Sequence, residues 1–362
     1  MYSGTQLFLI CSGLFFAALM FSLVTNSVFL RFFRTFGIRE GQEGMVRWAS
    51  SQKPAFGGMG FFIVFLGAFA VHSALFPKAA NPYQPELLGL LAATGLGFMM
   101  GLADDAYNTR PLLKFATQLA CGGILIASGS AIHIFHASPW DELLTLVWVV
   151  GLMNSINMLD NMDGITAVTS IFILASGLLV HLVVPPMVTI NIVLIIGILA
   201  ALCGFLFYNW NPSRMYMGDT GSQFLGVFLA YIGIRCFWNA PNMSGQMEPW
   251  RQAVSALVVF ALPIIDTTVV TVNRLLRGTS PFVGGKDHTT HHLSYAGLSD
   301  GQVALVFTGL GAISFFLVNA MVWFIPHWET WHSLVFIAWS VALFIFLFAV
   351  TRRTRAKEAP KA

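Results

Sequence analysis

Charge is what this 362-residue chain has least of: 10% of its residues are charged and 56% are hydrophobic. A soluble domain carries about 25% charge. With a mean hydropathy of +0.74, no water-facing fold hides this much apolar surface, so lipid is the main solvent. Cysteine is scarce too. Cys11, Cys121, Cys203 and Cys236 fall one each in four different apolar runs, with no CxxC pair. That excludes a disulfide framework or a cysteine metal site, and they read as small apolar residues. A cationic leader is missing. MYSGTQ has no positive charge, and Arg31 and Arg34 follow the first apolar run instead of preceding it. The run therefore reads as an uncleaved span and not a signal peptide. The net charge of +3 says little by itself, and no nucleic-acid partner is expected. The basic tail RRTRAKEAPK reads as a topology anchor with some affinity for anionic lipid.

A membrane span needs roughly 20 apolar residues. Eleven runs qualify, at approximately 7–30, 58–76, 86–103, 112–129, 141–158, 165–183, 187–208, 221–238, 253–273, 302–325 and 332–350. Each is expected to be helical, because lipid forces the backbone to satisfy its own hydrogen bonds. The expected architecture is an all-α polytopic membrane protein. It has one transmembrane domain over 1–351 and a basic tail over 352–362. Eleven crossings with the N-terminus outside put all but Lys78, Arg235 and Arg251 of the 19 Lys and Arg residues on the inner side. That bias is what the positive-inside rule requires.

The polar residues then sort by side. Asp104, Asp105, Asn154, Asn157, Asp160, Asp163, Asn209, Asn211, Asp219 and Asp266 lie at inner ends of spans, with Lys286, Asp287, His288, His291 and His292 in an inner loop. Ionisable residues at span ends facing a cavity are functional candidates. Four segments carry them. In GLADDAYNTRPLLK (101–114), two adjacent acids end a helix, where they oppose the macrodipole. They are either a polar cap or a site for a divalent cation or charged substrate, with Lys114 near enough to hold a phosphate. In NSINMLDNMDGI (154–165), the spacing of Asp160, Asp163 and Gly164 does not fit an EF-hand. The segment reads as a hydrogen-bonded turn or as part of a site. In FYNWNPSRMYMGDTGSQFLG (207–226), Asp219 is either an N-cap or an acid open to a metal-bound phosphate. In NRLLRGTSPFVGGKDHTTHHLSYAGLS (273–299), Arg274, Arg277, Lys286 and three histidines lack the ligand spacing of zinc. They suit a donor-rich cradle for a diphosphate or anionic lipid head better than a plain solvated loop. Acids and asparagine on one side, with lysine, arginine and histidine on the other, are how a magnesium–diphosphate is held.

These four segments, with KPAFGGMGF (53–61) and PIIDTT (263–268), resemble in order the polyprenyl-phosphate N-acetylhexosamine-1-phosphate transferases. This group is glycosyltransferase family 4, which also holds the phospho-N-acetylmuramoyl-pentapeptide transferases. The resemblance implies that a UDP-sugar gives its sugar-1-phosphate to polyprenyl (undecaprenyl) phosphate at the cytoplasmic face of a bacterial inner membrane, releasing UMP. Surface polysaccharides such as O-antigen lipopolysaccharide begin this way. Carried over by residue, Asp219 and Asn157 would ligate Mg2+ (or Mn2+). Asp104 would be the acid nearest the lipid-phosphate nucleophile, as its base or orienting group, with Asp105 beside it, and Lys114 would contact phosphate. Asn209, Tyr216, Asp160 and Asp163 would line the nucleotide pocket. His291 and His292 would contact the diphosphate or sugar, with Arg277, Lys286 and His288 in the same anion-binding loop. HTTHH departs from both the His-x-His-His of many hexosamine members and the triple histidine of the muramoyl-pentapeptide branch. The lack of the triple histidine, with PIIDTT, argues for the hexosamine branch, while the displaced His288 has no matching role. Two other classes remain as alternatives. One is an ion-coupled transporter, which would show midplane charges and internal repeats. The other is an intramembrane aspartyl protease. The oligomeric state, monomer or homodimer, is not readable from the sequence.

Overall fold

The computed structural model describes residues 4–32, 53–76, 84–135, 138–184, 189–280 and 284–354. Among them are thirteen α-helices and no strand. In chain order they are α1 (Gly4–Phe32), α2 (Gly57–Leu75), α3 (Pro85–Tyr107), α4 (Pro111–Ala127), α5 (Trp140–Leu159), α6 (Ile165–Val183), α7 (Thr189–Asn209) and α8 (Gly218–Gly233). Then follow α9 (Pro249–Val259), α10 (Ala261–Leu276), α11 (Thr289–Tyr295), α12 (Asp300–Phe324) and α13 (Thr330–Arg353). A π-helical turn, Ile234–Trp238, continues α8. Expected tail residues beyond Thr354, and the cations Arg34, Arg39, Arg47 and Lys78, lie outside the described residues.

All eleven expected runs are helical, but they do not make eleven equal spans. Eight helices are long and apolar enough to cross a membrane, and nine if α9 and α10 count as one bent span. α4 is shorter at 17 residues, and α8 reaches crossing length only with its π turn. The run over 253–273, read as one span, is broken: α9 and α10 meet at 73°. The cause is local. Pro263 stands in the first turn of α10 and has no N–H to return to Val259, so the ladder is interrupted there.

Burial ranks the helices. Every residue of α8 from Thr220 to Gly233 is buried, while the apolar window of α1 is 6% buried against 78% for α7. α7 and α8 form the centre, and α1 leaves most of its surface exposed. Helices in lipid gain little from hiding apolar area, so close contact holds them together. Small residues permit it. A Cβ on Gly101 of α3 would lie 2.2 Å from the Asp219 carbonyl oxygen, and one on Gly58 would lie 2.2 Å from the Gly221 nitrogen. Phe61, Phe65, Phe205, Phe224 and Phe228 fill the space above with edge-on ring contacts. The result fixes the first turn of α8, and hence Asp219, against α2 and α3.

Candidate active site

The site begins where α3 and α5 end and α4 and α8 begin. Asp104, in the last turn of α3, is buried. Its Oδ1 accepts from the Thr109 backbone N–H at 2.8 Å and hydroxyl at 2.6 Å, and its Oδ2 is ion-paired with Lys114 Nζ. Lys114 also reaches Asp219 Oδ2 at 3.1 Å. One ammonium thus joins two carboxylates that would otherwise repel each other. Asp219 Oδ1 accepts from Asn157 Nδ2 at 2.7 Å, and the same amide donates to Ser222 Oγ at 2.9 Å. Asp219, Asn157, Lys114 and Asp104 therefore form one cluster from four helices.

Asp105 is adjacent in sequence but has different work. Its carboxylate accepts from the backbone N–H of Asp219 and of Thr220, both at 2.9 Å, and from the Thr220 hydroxyl at 2.6 Å. It caps the N-terminus of α8 from a neighbouring helix, where a negative charge also suits the dipole. One turn deeper lies a layer of amides. Gln118 Nε2 donates to Asn154 Oδ1 and Gln223 Oε1, each at 3.3 Å, and Asn154 Nδ2 returns a bond to Gln118 Oε1 at 2.7 Å. These residues stand three or four positions from Asn157, Lys114 and Asp219 on the same helices, so they floor the cluster. Sequence reasoning missed Gln118 and Gln223, because a lone glutamine in an apolar run carries no spacing signal.

The loop after α5 leads away from the cluster. Asp160 ends α5, and burial, reinforced by the negative charge of Asp219, pushes its carboxyl up to about 7. Asp163 accepts from Asn211 Nδ2 at 3.2 Å, from Ser213 N–H at 2.9 Å and from Ser213 Oγ at 2.7 Å. Lys53 lies 3.7 Å from it, donates to Ser213 Oγ at 2.9 Å and sits over the Tyr216 ring. Asn209 is buried and used at both ends, accepting from Gly164 N–H at 3.0 Å and donating to Met215 O at 2.9 Å. The backbone of Tyr216 pairs with Pro54 and Gly57. Asp163, Asn209 and Tyr216 thus bind the first loop, the 160s turn and the approach to α8 into one wall.

The histidine segment meets that wall through Thr290 Oγ1, which donates to Asn161 Oδ1 at 2.6 Å. α11 is seated by Asp266 of α10, buried and accepting from Thr289 N–H at 2.9 Å and Oγ1 at 2.5 Å, with His288 Nδ1 at 2.9 Å. PIIDTT is therefore a structural partner of the histidine segment. Arg274 grips Asp287 with two bonds of 3.0 and 2.7 Å. Burial works against ionisation of Asp287, but that guanidinium holds its carboxyl below the usual range. Arg277 and Lys286 are exposed. His291 is lowered to about 3 by burial and by His288, and His292 to about 4 by burial and by Arg277. At neutral pH both rings are uncharged, so they offer hydrogen bonds and the segment's positive charge comes from its arginines and lysine.

Among the described residues no three histidine, cysteine, aspartate or glutamate side chains group as a metal cage. Magnesium asks for less: one or two protein ligands, with water and substrate phosphate supplying the rest. Asp219 fits that demand, being about one-third exposed at 32%. Asn157 fits as well, since only its Nδ2 is engaged among the described residues, which leaves its Oδ1 open to a cation.

A sequence profile of glycosyl transferase family 4 matches residues 87–237. That stretch holds the whole carboxylate cluster and excludes Lys53 and the histidine segment. The probable undecaprenyl-phosphate N-acetylglucosaminyl 1-phosphate transferase of Bacillus subtilis is 27% identical over 279 residues, covering 74% of this chain and 73% of that protein. The decaprenyl-phosphate N-acetylglucosaminephosphotransferase of Mycolicibacterium smegmatis is 28% identical over 295 residues, covering 72% and 70%. A phospho-N-acetylmuramoyl-pentapeptide-transferase of Streptococcus agalactiae is 30% identical over 205 residues, covering 51% and 60%.

Proposed function

We propose that this chain is a member of glycosyl transferase family 4 and transfers an N-acetylhexosamine-1-phosphate from a UDP-sugar to polyprenyl phosphate. N-acetylglucosamine-1-phosphate is the group we favour. The observation that carries the reading is the four-helix cluster in which Lys114 bridges Asp104 and Asp219 while Asn157 holds Asp219. Two relatives whose names specify N-acetylglucosamine and a polyprenyl phosphate each cover more of the chain than the muramoyl-pentapeptide relative does.

A lipid phosphate oxygen attacks the sugar-bearing phosphorus of the donor. The bond from that phosphorus to the bridging oxygen breaks, and UMP leaves with the electron pair. Phosphoryl transfer demands positioning and charge neutralisation more than covalent chemistry. Asp219 and Asn157 would hold Mg2+, which neutralises diphosphate charge when bound. Lys114 is held by two carboxylates and presents its charge to a phosphate. Asp104 is saturated by Thr109 and Lys114, so it orients the lysine and is a poor nucleophile. Asp105 is spent on the helix. Direct attack by the lipid phosphate is therefore the simpler route than a phospho-aspartyl intermediate. Asp160 and the Asp163 wall face the nucleotide end, and the histidine segment faces the sugar-phosphate. The lipid is met at the inner interface of the bacterial cytoplasmic membrane, and the product starts a cell-surface polysaccharide.

The test is a donor screen on purified protein in detergent, with magnesium and undecaprenyl phosphate. UMP release from UDP-N-acetylglucosamine is the expected result. Release only from UDP-N-acetylmuramoyl-pentapeptide would move the protein to the other branch. No release from any UDP-N-acetylhexosamine, with transport into sealed vesicles instead, would overturn the reading.

A further inference from the structure

The last turn of α13 reaches the histidine segment. Thr351 Oγ1 donates to Phe348 O at 2.8 Å and accepts from Asn273 Nδ2, at the end of α10, at 3.0 Å. One turn on, Thr354 Oγ1 lies 2.7 Å from Val350 O and 2.8 Å from His292 Nδ1. A threonine hydroxyl owns one proton, and a neutral imidazole owns one. If the ring proton is on Nδ1, both contacts are hydrogen bonds: Nδ1–H to Oγ1, and Oγ1–H to the carbonyl. If it is on Nε2, the hydroxyl proton serves only one of the two. The other becomes lone pair against lone pair, and a buried ring N–H is left without an acceptor. The Nδ1–H form wins. His291 has the reverse arrangement, because its Nδ1 faces the His288 backbone N–H at 3.4 Å. His292 Nε2 is buried and has no hydrogen-bond partner among the described residues. The ring itself is enclosed, edge-on to Tyr295, whose hydroxyl donates to Lys286 O at 3.0 Å.

We propose that Thr354, at the end of the C-terminal helix, is a positioning residue of the active site. It locks His292 in the Nδ1–H tautomer, which leaves the buried Nε2 as the ring's bare acceptor within the histidine segment. This rests on the transferase reading and adds a part to it from a helix that the family profile does not reach. The uncharged state of His292 agrees with an acceptor role: a cationic ring would donate from both nitrogens.

The experiment uses the full chain in detergent, with nitrogen-15 in the histidine rings. A His292→Gln spectrum identifies the His292 signals. The expected wild-type spectrum has a protonated Nδ1 and a bare Nε2 at His292, and Thr354→Val moves the proton toward Nε2. In parallel, T354V lowers kcat/KM for the UDP-sugar by about 10-fold, the worth of one hydrogen bond, while Thr354→Ser restores both the spectrum and the rate. A wild-type His292 protonated on Nε2 would overturn the proposal, and so would a T354V protein with unchanged tautomer and rate, or a serine variant as impaired as the valine one. The wild-type spectrum decides the tautomer even if the valine variant does not fold. It needs no substrate, so inactivity of the wild type with every donor counts against the reaction and not against the tautomer.

Discussion

Asp104 and Asp105 are neighbours in sequence with separate tasks, and the division rests on what each touches. Asp104 holds a lysine, and Asp105 holds a helix end. Asp219→Asn is expected to lower kcat by at least about 100-fold, the scale of losing one preorganised charge contact in a transfer site. The same variant should raise the magnesium concentration needed for half-maximal rate, and UMP release measured against magnesium checks both. Asp105→Ala removes three hydrogen bonds at the start of α8. It should cost about 1–2 kcal/mol of stability, as a lost N-cap does, read as a lower unfolding midpoint, with activity falling in step. Asp160 gives a pH signature. Its folded value near 7 lies above the ordinary carboxyl value of 3.8, so the folded state binds the extra proton. Stability then falls as pH rises from about 4 to about 7. Asp160→Asn should leave stability unchanged near pH 4 and raise it at pH 8, measured as thermal midpoints across that range. An asparagine variant less stable at both ends would contradict this.

Helices in this protein meet through glycine at the place where precision matters. α3 lies so close to α8 that a methyl group on Gly101 would strike the Asp219 backbone. Gly101→Ala should force the two helices apart at a cost of about 1–3 kcal/mol, the usual range for overpacking. Because Asp219 moves with the backbone it hangs on, activity should drop more than stability does. Gly95→Ala is the control, since a Cβ there meets nothing within 4 Å. Equal losses in the two variants would show that the contact is not what places Asp219. The break between α9 and α10 belongs to this scale too. It turns α10 so that Asp266 seats α11, and a straight span would carry Asp266 elsewhere. The proline that makes the break is visible in PIIDTT, but its 73° consequence is not, because a proline in a first turn is equally at home at an ordinary helix start.

For the whole molecule the open quantity is orientation. The charge bias predicts that the carboxylate cluster, the histidine segment and the C-terminus lie on the inner side. A fluorescent protein fused after Ala362 should therefore fluoresce, and alkaline phosphatase fused there should be inactive. The reverse pattern would turn the site outward, away from a cytoplasmic nucleotide sugar.

Composition alone established a helical membrane protein, because lipid leaves a chain this apolar few other backbones. The four polar segments were legible because every ionisable residue stands out against such a background. Their partners were not. That Lys114 joins Asp104 to Asp219, that Asp105 serves α8, and that Thr354 meets His292 across 62 positions are matters of which helix ends come together. Sequence spacing describes faces within one helix. Contacts between helices depend on packing depth and rotation, which small residues such as Gly58 and Gly101 decide only once the helices are in place.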